Sequence, residues 1–173
     1  MTHTERQVLS SVGGAQASPP PILLESATLG PTGQLFGLAA TVIGVRFVLA
    51  TAVVTSEIGA HIFGSGTVAL AVVALTNLTD FPDSLDLSTP DVLGSVLASP
   101  PPTSAEVSAP LAIALPPGTY ALILASSPVL GATGLFTAPL NNPNVGTPSY
   151  FHRTLTVWLN GGFNNLRLFL RGT

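Results

Sequence analysis

Two consecutive runs of alternating apolar residues, within residues 41–62, constrain this chain more than any other feature. The first run places Ile43, Val45, Phe47 and Leu49 at one parity. The second places Val54, Ile58, Ala60 and Ile62 at one parity, and Thr55, Glu57, Gly59 and His61 at the other. Because the side chains of a strand point alternately to its two faces, each run predicts a β-strand with one face in a core. We expect the strands to pair as a hairpin, with Arg46 opposite Glu57, or to enter different sheets of a sandwich.

Further short strands are predicted along the chain, separated by Pro and Gly. The run 67–75 is apolar at both parities, which is typical of a strand covered on both faces. The runs 107–115 and 119–126 flank a Pro116-Pro117-Gly118 turn and are predicted to form a hairpin. Its first strand is expected at a sheet edge, because Pro110 has no N–H to donate. The other predicted strands are 22–29, 92–98, 150–159 and 165–171, and the predicted loops are 76–91 and 127–149.

The number and spacing of these strands predict the fold class and the division of the chain. Eight or nine short strands joined by turns favour an all-β antiparallel sandwich with the build of a jelly roll. Residues 1–29 are predicted to form an extended N-terminal arm or linking strand, and residues 30–173 the β-sandwich domain. The arm is polar in its first part and contains three successive prolines at 19–21.

The composition limits the kinds of partner that the protein can have. Only 8% of its residues are charged, against about 25% in a typical soluble domain, and the net charge is −3. The chain therefore lacks the basic footprint of a nucleic-acid-binding protein. A surface so poor in charge is typically covered by lipid or by protein. Residues 35–54 are long enough to span a membrane, but Arg46 at their centre and the strand-like alternation argue against a spanning segment.

No group of residues in the sequence has the pattern of a catalytic site. Cysteine is absent, which excludes disulfides, thiolate metal sites and a Cys nucleophile. No G-x-S-x-G motif occurs, and the three glutamates on predicted strands are expected to be solvated or paired with Arg. Those glutamates are Glu25, Glu57 and Glu106. We predict no enzymatic activity and no cofactor.

Metal binding has two weak candidates in the sequence. Four aspartates in one loop, Asp80, Asp83, Asp86 and Asp91, could offer oxygen ligands to Ca²⁺, although their spacing is unlike a calcium loop and Asp also caps turns. The three histidines, His3, His61 and His152, lie far apart in the sequence. His61 and Glu57 share a strand face but are separated by about 13 Å along it. We therefore predict no metal site.

Two aromatic residues near the C-terminus could bind sugar. Trp158 and Tyr150 are predicted on the same face of one strand, where they could form a stacking platform for a polysaccharide. A loop or a neighbouring subunit could equally cover them.

The order of several segments resembles the bacterial extracellular β-sandwich domains of choice-of-anchor and PEP-CTERM-sorted proteins. The similarity is carried by IGVRFVL, VTSEIGAHI and TVALAVVAL, and later by EVSAPLAIALPPGTYALIL and WLNGGFNNLRLFLRG, over about residues 41–172. The resemblance implies a non-catalytic module that is extracellular or on the cell surface. The sequence MTHTERQVLSS at the start does not have the pattern of a secretory signal peptide, nor does the end have that of a sorting helix.

The low charge and the small apolar residues expected at outward strand positions together predict self-association; examples are Ala69, Ala71, Ala112, Ala114, Ala121 and Ala125. Strands with such faces and open edges tend to associate. We expect a structural subunit of an extracellular filament or surface layer that assembles with itself. Its arm would contact a neighbour or add a strand to it, through Val8, Leu9, Ile22, Leu23 and Leu24. The alternatives are a carbohydrate- or surface-binding module and a capsid-like jelly-roll shell protein.

Overall fold

A computed structural model describes residues 18–26, 32–36, 42–126, 129–141, 150–153, 156–161 and 165–173. Within these residues the chain forms β-strands and one 3₁₀ turn, Val129–Gly131, and no described helix is long and apolar enough to cross a membrane. In chain order the strands are β1 (Ile22–Glu25), β2 (Thr32–Phe36), β3 (Val42–Leu49), β4 (Val53–Ser65), β5 (Val68–Leu75), β6 (Val92–Ala98), β7 (Ala105–Pro110), β8 (Ala114–Leu115), β9 (Gly118–Ala125), β10 (Leu135–Asn141), β11 (Tyr150–Arg153), β12 (Trp158–Asn160), β13 (Asn165–Leu166) and β14 (Leu168–Gly172).

The strands form two antiparallel sheets, which confirms the predicted all-β sandwich. The six-stranded sheet has the order β12-β11-β3-β9-β5-β6. The eight-stranded sheet has the order β1-β14-β4-β10-β13, with β7 and β8 also paired to β4 and β2 paired to β10. The chain alternates between the sheets from β3 to β4 to β5, and again from β9 to β10 to β11. Such repeated crossing is typical of jelly-roll folds.

The main core lies between the two sheets and is built from the predicted inward faces. From β3 it takes Ile43, Val45 and Phe47, from β4 Ile58, Ala60 and Ile62, and from β14 Leu168 and Leu170. A second apolar cluster covers the other face of the six-stranded sheet and includes Ala69, Ala71 and Val73 of β5. The prediction that β5 is covered on both faces is therefore confirmed. The expected outward exposure of Ala69, Ala71, Ala121 and Ala125 is wrong, because all four are buried in this second cluster.

The predicted hairpin of the two alternating strands is wrong, and the alternative with separate sheets is correct. β3 pairs with β9 and β11, whereas β4 pairs with β7, β8, β10 and β14. Arg46 consequently lies opposite Ala121, and Glu57 lies opposite Arg171. A strand such as β3, buried on both faces from residue 42 to residue 47, needs neighbours on both edges, and a sandwich interior supplies them.

The predicted inward position of Val54 is also wrong. Its side chain is 53% exposed, whereas Thr55 is buried. The register between β4 and β14 jumps from Glu57 opposite Arg171 to Thr55 opposite Gly172, which leaves Ser56 as the extra residue of a β-bulge. A bulge reverses the parity of every residue before it, so the alternation cannot be read through this point.

Three further expectations from the sequence need correction. The runs around Pro116-Pro117-Gly118 do not pair with each other, because β7 and β8 join β4 while β9 joins the other sheet. The predicted loop 127–149 contains β10, which pairs with β4 and β2. The predicted strand 150–159 is two paired strands, β11 and β12. The edge position of the strand that contains Pro110 fits the structure, since β7 pairs in the described residues with β4 alone.

Candidate assembly surfaces

Loop 76–91 covers the outer face of the six-stranded sheet and buries Arg46 beneath it. The guanidinium lies 4.4 Å from the ring centroid of Phe81 in the loop and 4.5 Å from that of Phe151 in β11. Its Nε donates to the carbonyl of Asp80 at 2.5 Å, and its Nη1 donates to Oδ1 of Asn160 at 3.0 Å. Nη2 is buried without a hydrogen-bond partner among the described residues. The cation–π contacts of the guanidinium with the two rings offset the cost of removing this group from water. Burial lowers the pKa of Arg46, against the opposing charge of Asp80.

A glycine explains how the ring of Phe151 lies flat on the sheet. Gly44 and Phe151 are register partners on β3 and β11, and a Cβ at Gly44 would lie 2.2 Å from Cζ of Phe151. Trp158 stacks on Phe81, with 6.3 Å between centroids, and meets Phe151 edge-on at 5.4 Å. We call Gly44, Arg46, Phe81, Phe151 and Trp158 the sealed cluster.

The outer face of the eight-stranded sheet repeats this arrangement, and no loop among the described residues covers it. Gly59 of β4 and Phe169 of β14 are register partners, and a Cβ at Gly59 would lie 2.2 Å from Cζ of Phe169. Arg167 and Arg171 flank the ring, with their guanidinium carbons 4.9 and 4.7 Å from its centroid. The ring itself is fully buried.

Glutamates from three strands pair with these two arginines. Arg167 contacts Glu25 of β1 and Glu106 of β7, and Arg171 contacts Glu57 of β4 and the same Glu106. Burial by itself raises the pKa of Glu106, but hydrogen bonds and charge from both arginines outweigh it and lower the pKa below 4.5. Of the two expectations for the three glutamates, solvation or pairing with Arg, the structure shows pairing. We call Gly59, Phe169, the two arginines and the three glutamates the open cluster.

His61 lies beside the open cluster but does not join Glu57 in a site. Its Nε2 lies 3.0 Å from Oγ of Ser104. Burial lowers the pKa of His61, and the positive charge of Arg167 lowers it further, against the opposite effect of Glu106.

Three of the four aspartates of loop 76–91 accept hydrogen bonds from backbone amides and hydroxyls of the loop itself. Asp80 accepts from the amides of Thr76 and Phe81, Asp86 accepts from Ser88, and Asp91 accepts from Thr89 and from the amide of Asp83. The hydrogen bond from the amide of Thr76 is the main cause that lowers the pKa of Asp80. In the described part of the chain, no three His, Cys, Asp or Glu side chains come together as metal ligands would. These aspartates instead hold the loop that seals Arg46.

Trp158 and Tyr150 lie on opposite faces of the six-stranded sheet, so the predicted shared face is wrong. Trp158 belongs to the outer cluster, whereas Tyr150 is buried in the main core. Trp158 lies opposite Arg153 in the pairing of β12 with β11. Arg153 is three residues from Tyr150 on β11, and residues an odd number of positions apart on a strand face opposite sides of the sheet. Burial raises the pKa of Tyr150 to about 12. The two rings therefore offer no common platform for a sugar.

An apolar groove of about 310 Å³ opens at one end of the eight-stranded sheet. It is lined by Ala52, Val53, Val54, Ala114, Leu115 and Pro116, with Thr173 as its polar member. Thr173 and Val54 exchange two backbone hydrogen bonds, of 2.7 and 2.9 Å, and Val54 is the register partner of Ala114. We call this the end groove.

The first described segment of the chain reaches the same end of the sheet. β1 pairs with β14 of its own chain, and the carbonyl of Pro21 accepts from the amide of Gly172 at 3.1 Å. Of the predicted contact residues, Ile22 is 43% exposed, Leu23 is half-buried, and Leu24 packs against the main core. Val8 and Leu9 lie outside the described residues, as does His3.

Sequence reasoning missed the two glycine–phenylalanine pairs that organise both outer faces. Each glycine sits at an outward position of a strand whose inward face is apolar, and this position is a usable signal. Glycine inside a strand often marks the close approach of another group. The partner phenylalanine could not be identified, because the pairing of β3 with β11 and of β4 with β14 was not predictable.

Comparison with known proteins adds no relative to this description. No family model, no curated protein and no solved structure matches the chain.

Proposed function

We propose that this protein is a non-enzymatic structural subunit that assembles with itself into a filament or a surface layer, with its N-terminal arm contacting a neighbouring copy. An extracellular or cell-surface location is part of the proposal and rests on the resemblance of its segments to extracellular β-sandwich domains. The single observation that carries the proposal is the distribution of apolar and charged side chains on the described surface.

Large apolar side chains are exposed on several parts of that surface. Nine of them are between 41% and 55% exposed: Ile22, Val48, Val54, Leu78, Leu93, Leu97, Leu135, Val157 and Leu159. Single exposed apolar residues are ordinary in soluble proteins, but these accompany an unusually low content of charge. Such a surface favours contact with other protein surfaces.

The positive charges of the described surface are already engaged within the chain. Four of the five arginines are described: Arg167 and Arg171 pair with glutamates, and Arg46 and Arg153 donate to loop carbonyls. Among the described residues, the carboxylate side chains outside these pairs lie in loop 76–91. Little net charge therefore opposes the approach of a second copy across the rest of the described surface.

The position of β1 favours contact through the residues before it over donation of β1 itself. β1 pairs with β14 of its own chain, Glu25 contacts Arg167, and the Ser26 hydroxyl donates to the carbonyl of Leu166. Donation of β1 to a neighbour would first break these contacts. We therefore assign the contact to the residues upstream of Ser18.

The proposal is tested by comparing the full chain with a variant that lacks residues 1–17. The full chain is expected to form polymers in light scattering coupled to size-exclusion chromatography and in negative-stain micrographs. The truncated variant is expected to be monomeric with an unchanged β-sheet circular dichroism signal, because all described strands remain. A full chain that stays monomeric at high concentration would contradict the proposal. Closed particles instead of filaments would favour the shell-protein alternative.

A further inference from the structure

We infer that the end groove is the docking site for the N-terminal arm of a second copy, which inserts the apolar residues around Val8 and Leu9. The inference rests on the proposed self-assembly and names the surface through which it occurs. Three features support it: the chemistry of the groove, the place where the arm leaves the sheet, and the stiffness of the arm at that point.

The chemistry of the groove matches an uncharged apolar segment. Six of its seven lining residues are apolar, and none has a charged side chain. Its most exposed large residue, Val54, is outward because of the bulge at Ser56, so the bulge creates the apolar floor. In the first 17 residues, the stretch QVLSSV at 7–12 is uncharged and contains the valines and the leucine. A groove of this kind suits alternate apolar side chains of an extended segment.

The part of the arm upstream of Ser18 precedes β1, which lies two strands from β4, a strand that lines the groove, in the order β1-β14-β4. At this end of the sheet, Pro21 is bonded to Gly172, Thr173 is bonded to Val54, and Val54 is paired with Ala114. The 17 residues upstream of Ser18 can span at most roughly 55–60 Å when extended. That reach is sufficient for a groove on an adjacent copy.

The prolines direct the arm away from its own sheet. Residues 19–21 have no N–H to donate, so apart from the bond that the Pro21 carbonyl accepts from Gly172 they add no donor to the ladder between β1 and β14. Three successive prolines favour an extended polyproline segment of about 9 Å, which resists an immediate reversal towards the groove of the same chain. A neighbouring copy is therefore the occupant that we assign.

The absence of cysteine from the chain makes a direct test possible. Two single-cysteine variants, Leu9→Cys and Val54→Cys, are mixed in equal amounts under mild oxidation, with one of them labelled with ¹⁵N. Disulfide-linked peptides that join residue 9 of one variant to residue 54 of the other are counted by mass spectrometry. The matched control replaces Val54→Cys by Val157→Cys, because Val157 is exposed to a similar extent, 48% against 53%. Circular dichroism of each variant verifies its fold.

The expected result is a rate of cross-linking at least about tenfold higher with Val54→Cys than with Val157→Cys, because docking raises the effective concentration of the thiols. Equal rates in a sample that still polymerises would overturn the inference and leave the proposed function standing. A double variant, Leu9→Cys with Val54→Cys, that closes only within single chains would overturn it too.

The oligomeric state separates the inference from the proposed function. Cross-linking at Val54 in a sample that contains only closed dimers would support docking in the end groove, since the arm and groove at one end permit reciprocal exchange between two copies. The same result would overturn the proposed filament or layer. A full chain without self-association and without the preferred cross-link would overturn both.

Discussion

The two outer faces of the sandwich contain the same local unit in different surroundings. In each, a glycine on one strand lets a phenylalanine from the neighbouring strand lie on the backbone, and arginine stacks on its ring: Gly44, Phe151 and Arg46 in the sealed cluster, and Gly59, Phe169 and two arginines in the open cluster. Loop 76–91 covers the first unit and nothing described covers the second.

The presence or absence of the covering loop determines which groups each arginine contacts. In the sealed cluster Arg46 donates to a carbonyl and an amide and lies between two rings, and burial lowers its pKa. In the open cluster, burial lowers the pKa of Arg171, but hydrogen bonds and charge from Glu106 and Glu57 outweigh this effect. The pKa of Arg171 is therefore raised. The same ring contact therefore fastens a loop on one face and organises ion pairs across four strands on the other.

The largest expected difference between the clusters concerns their phenylalanines. Phe151→Ala should lower the free energy of unfolding by about 3–5 kcal/mol, because the fully buried ring is held between Gly44, Phe81 and Trp158 and its cavity cannot collapse. Phe169→Ala should cost less, at or below the lower end of that range, because the side chains of Arg167 and Arg171 can move into the space. Urea unfolding monitored by circular dichroism measures both, and an equal or larger loss for Phe169→Ala would contradict this account of the cover.

The second comparison uses the arginines. Arg46→Ala should lower the free energy of unfolding by about 3 kcal/mol, since it removes buried hydrogen bonds from a charged group and two ring contacts. Arg167→Ala should cost about 1 kcal/mol or less, as expected for partly exposed ion pairs.

Amide hydrogen exchange tests the mechanism behind that difference. Arg46→Ala should accelerate exchange of the amides in loop 76–91, for example that of Phe81, and Arg167→Ala should leave them unchanged. Unaltered exchange in the Arg46→Ala variant would mean that other contacts of the loop, such as that of Arg153 with the carbonyl of Leu85, hold it in place.

The difference between the faces also marks how far the sequence could predict this fold. Alternation in β3, β4 and β14 identified the strands and most of their inward residues, because burial of one face imposes a period of two. It could not identify the sheet to which each strand belongs, since pairing depends on contacts between residues distant in sequence. The bulge at Ser56 also limits the prediction of inward residues, because nothing in the neighbouring sequence indicates that one residue lies outside the ladder.

The candidate surfaces were predictable to a similar extent. Pairing of the glutamates with arginine was expected from their outward positions, but the choice of partners, such as Glu106 with both Arg167 and Arg171, needed the register of β7 and β14 against β4. Arg46 was expected to face outward, and its side chain does leave the main core. Its burial depends on loop 76–91, whose polar composition gave no sign that Phe81 and Leu87 are its apolar underside.

The smallest expected effect is a pH dependence that belongs to the open cluster. The folded-state pKa of Glu106 is lowered below 4.5, so the unfolded chain binds a proton more readily and the stabilisation from this residue is present above pH 4.5. It should be lost as the pH falls from 4.5 through the folded-state pKa. For the ion pairs of one partly exposed glutamate we expect a loss of about 1 kcal/mol or less.

Glu106→Gln isolates this contribution in urea unfolding between pH 3 and pH 7. The variant should be less stable than the unmodified chain at pH 7, and the difference should shrink as the pH falls below 4.5. The pKa of Asp80 in the loop is lowered from 3.8, so the sealed region should weaken only at lower pH in both proteins. A constant difference across the range would show that the carboxylate charge of Glu106 does not stabilise the open face, and that its packing on the stacked arginines is sufficient.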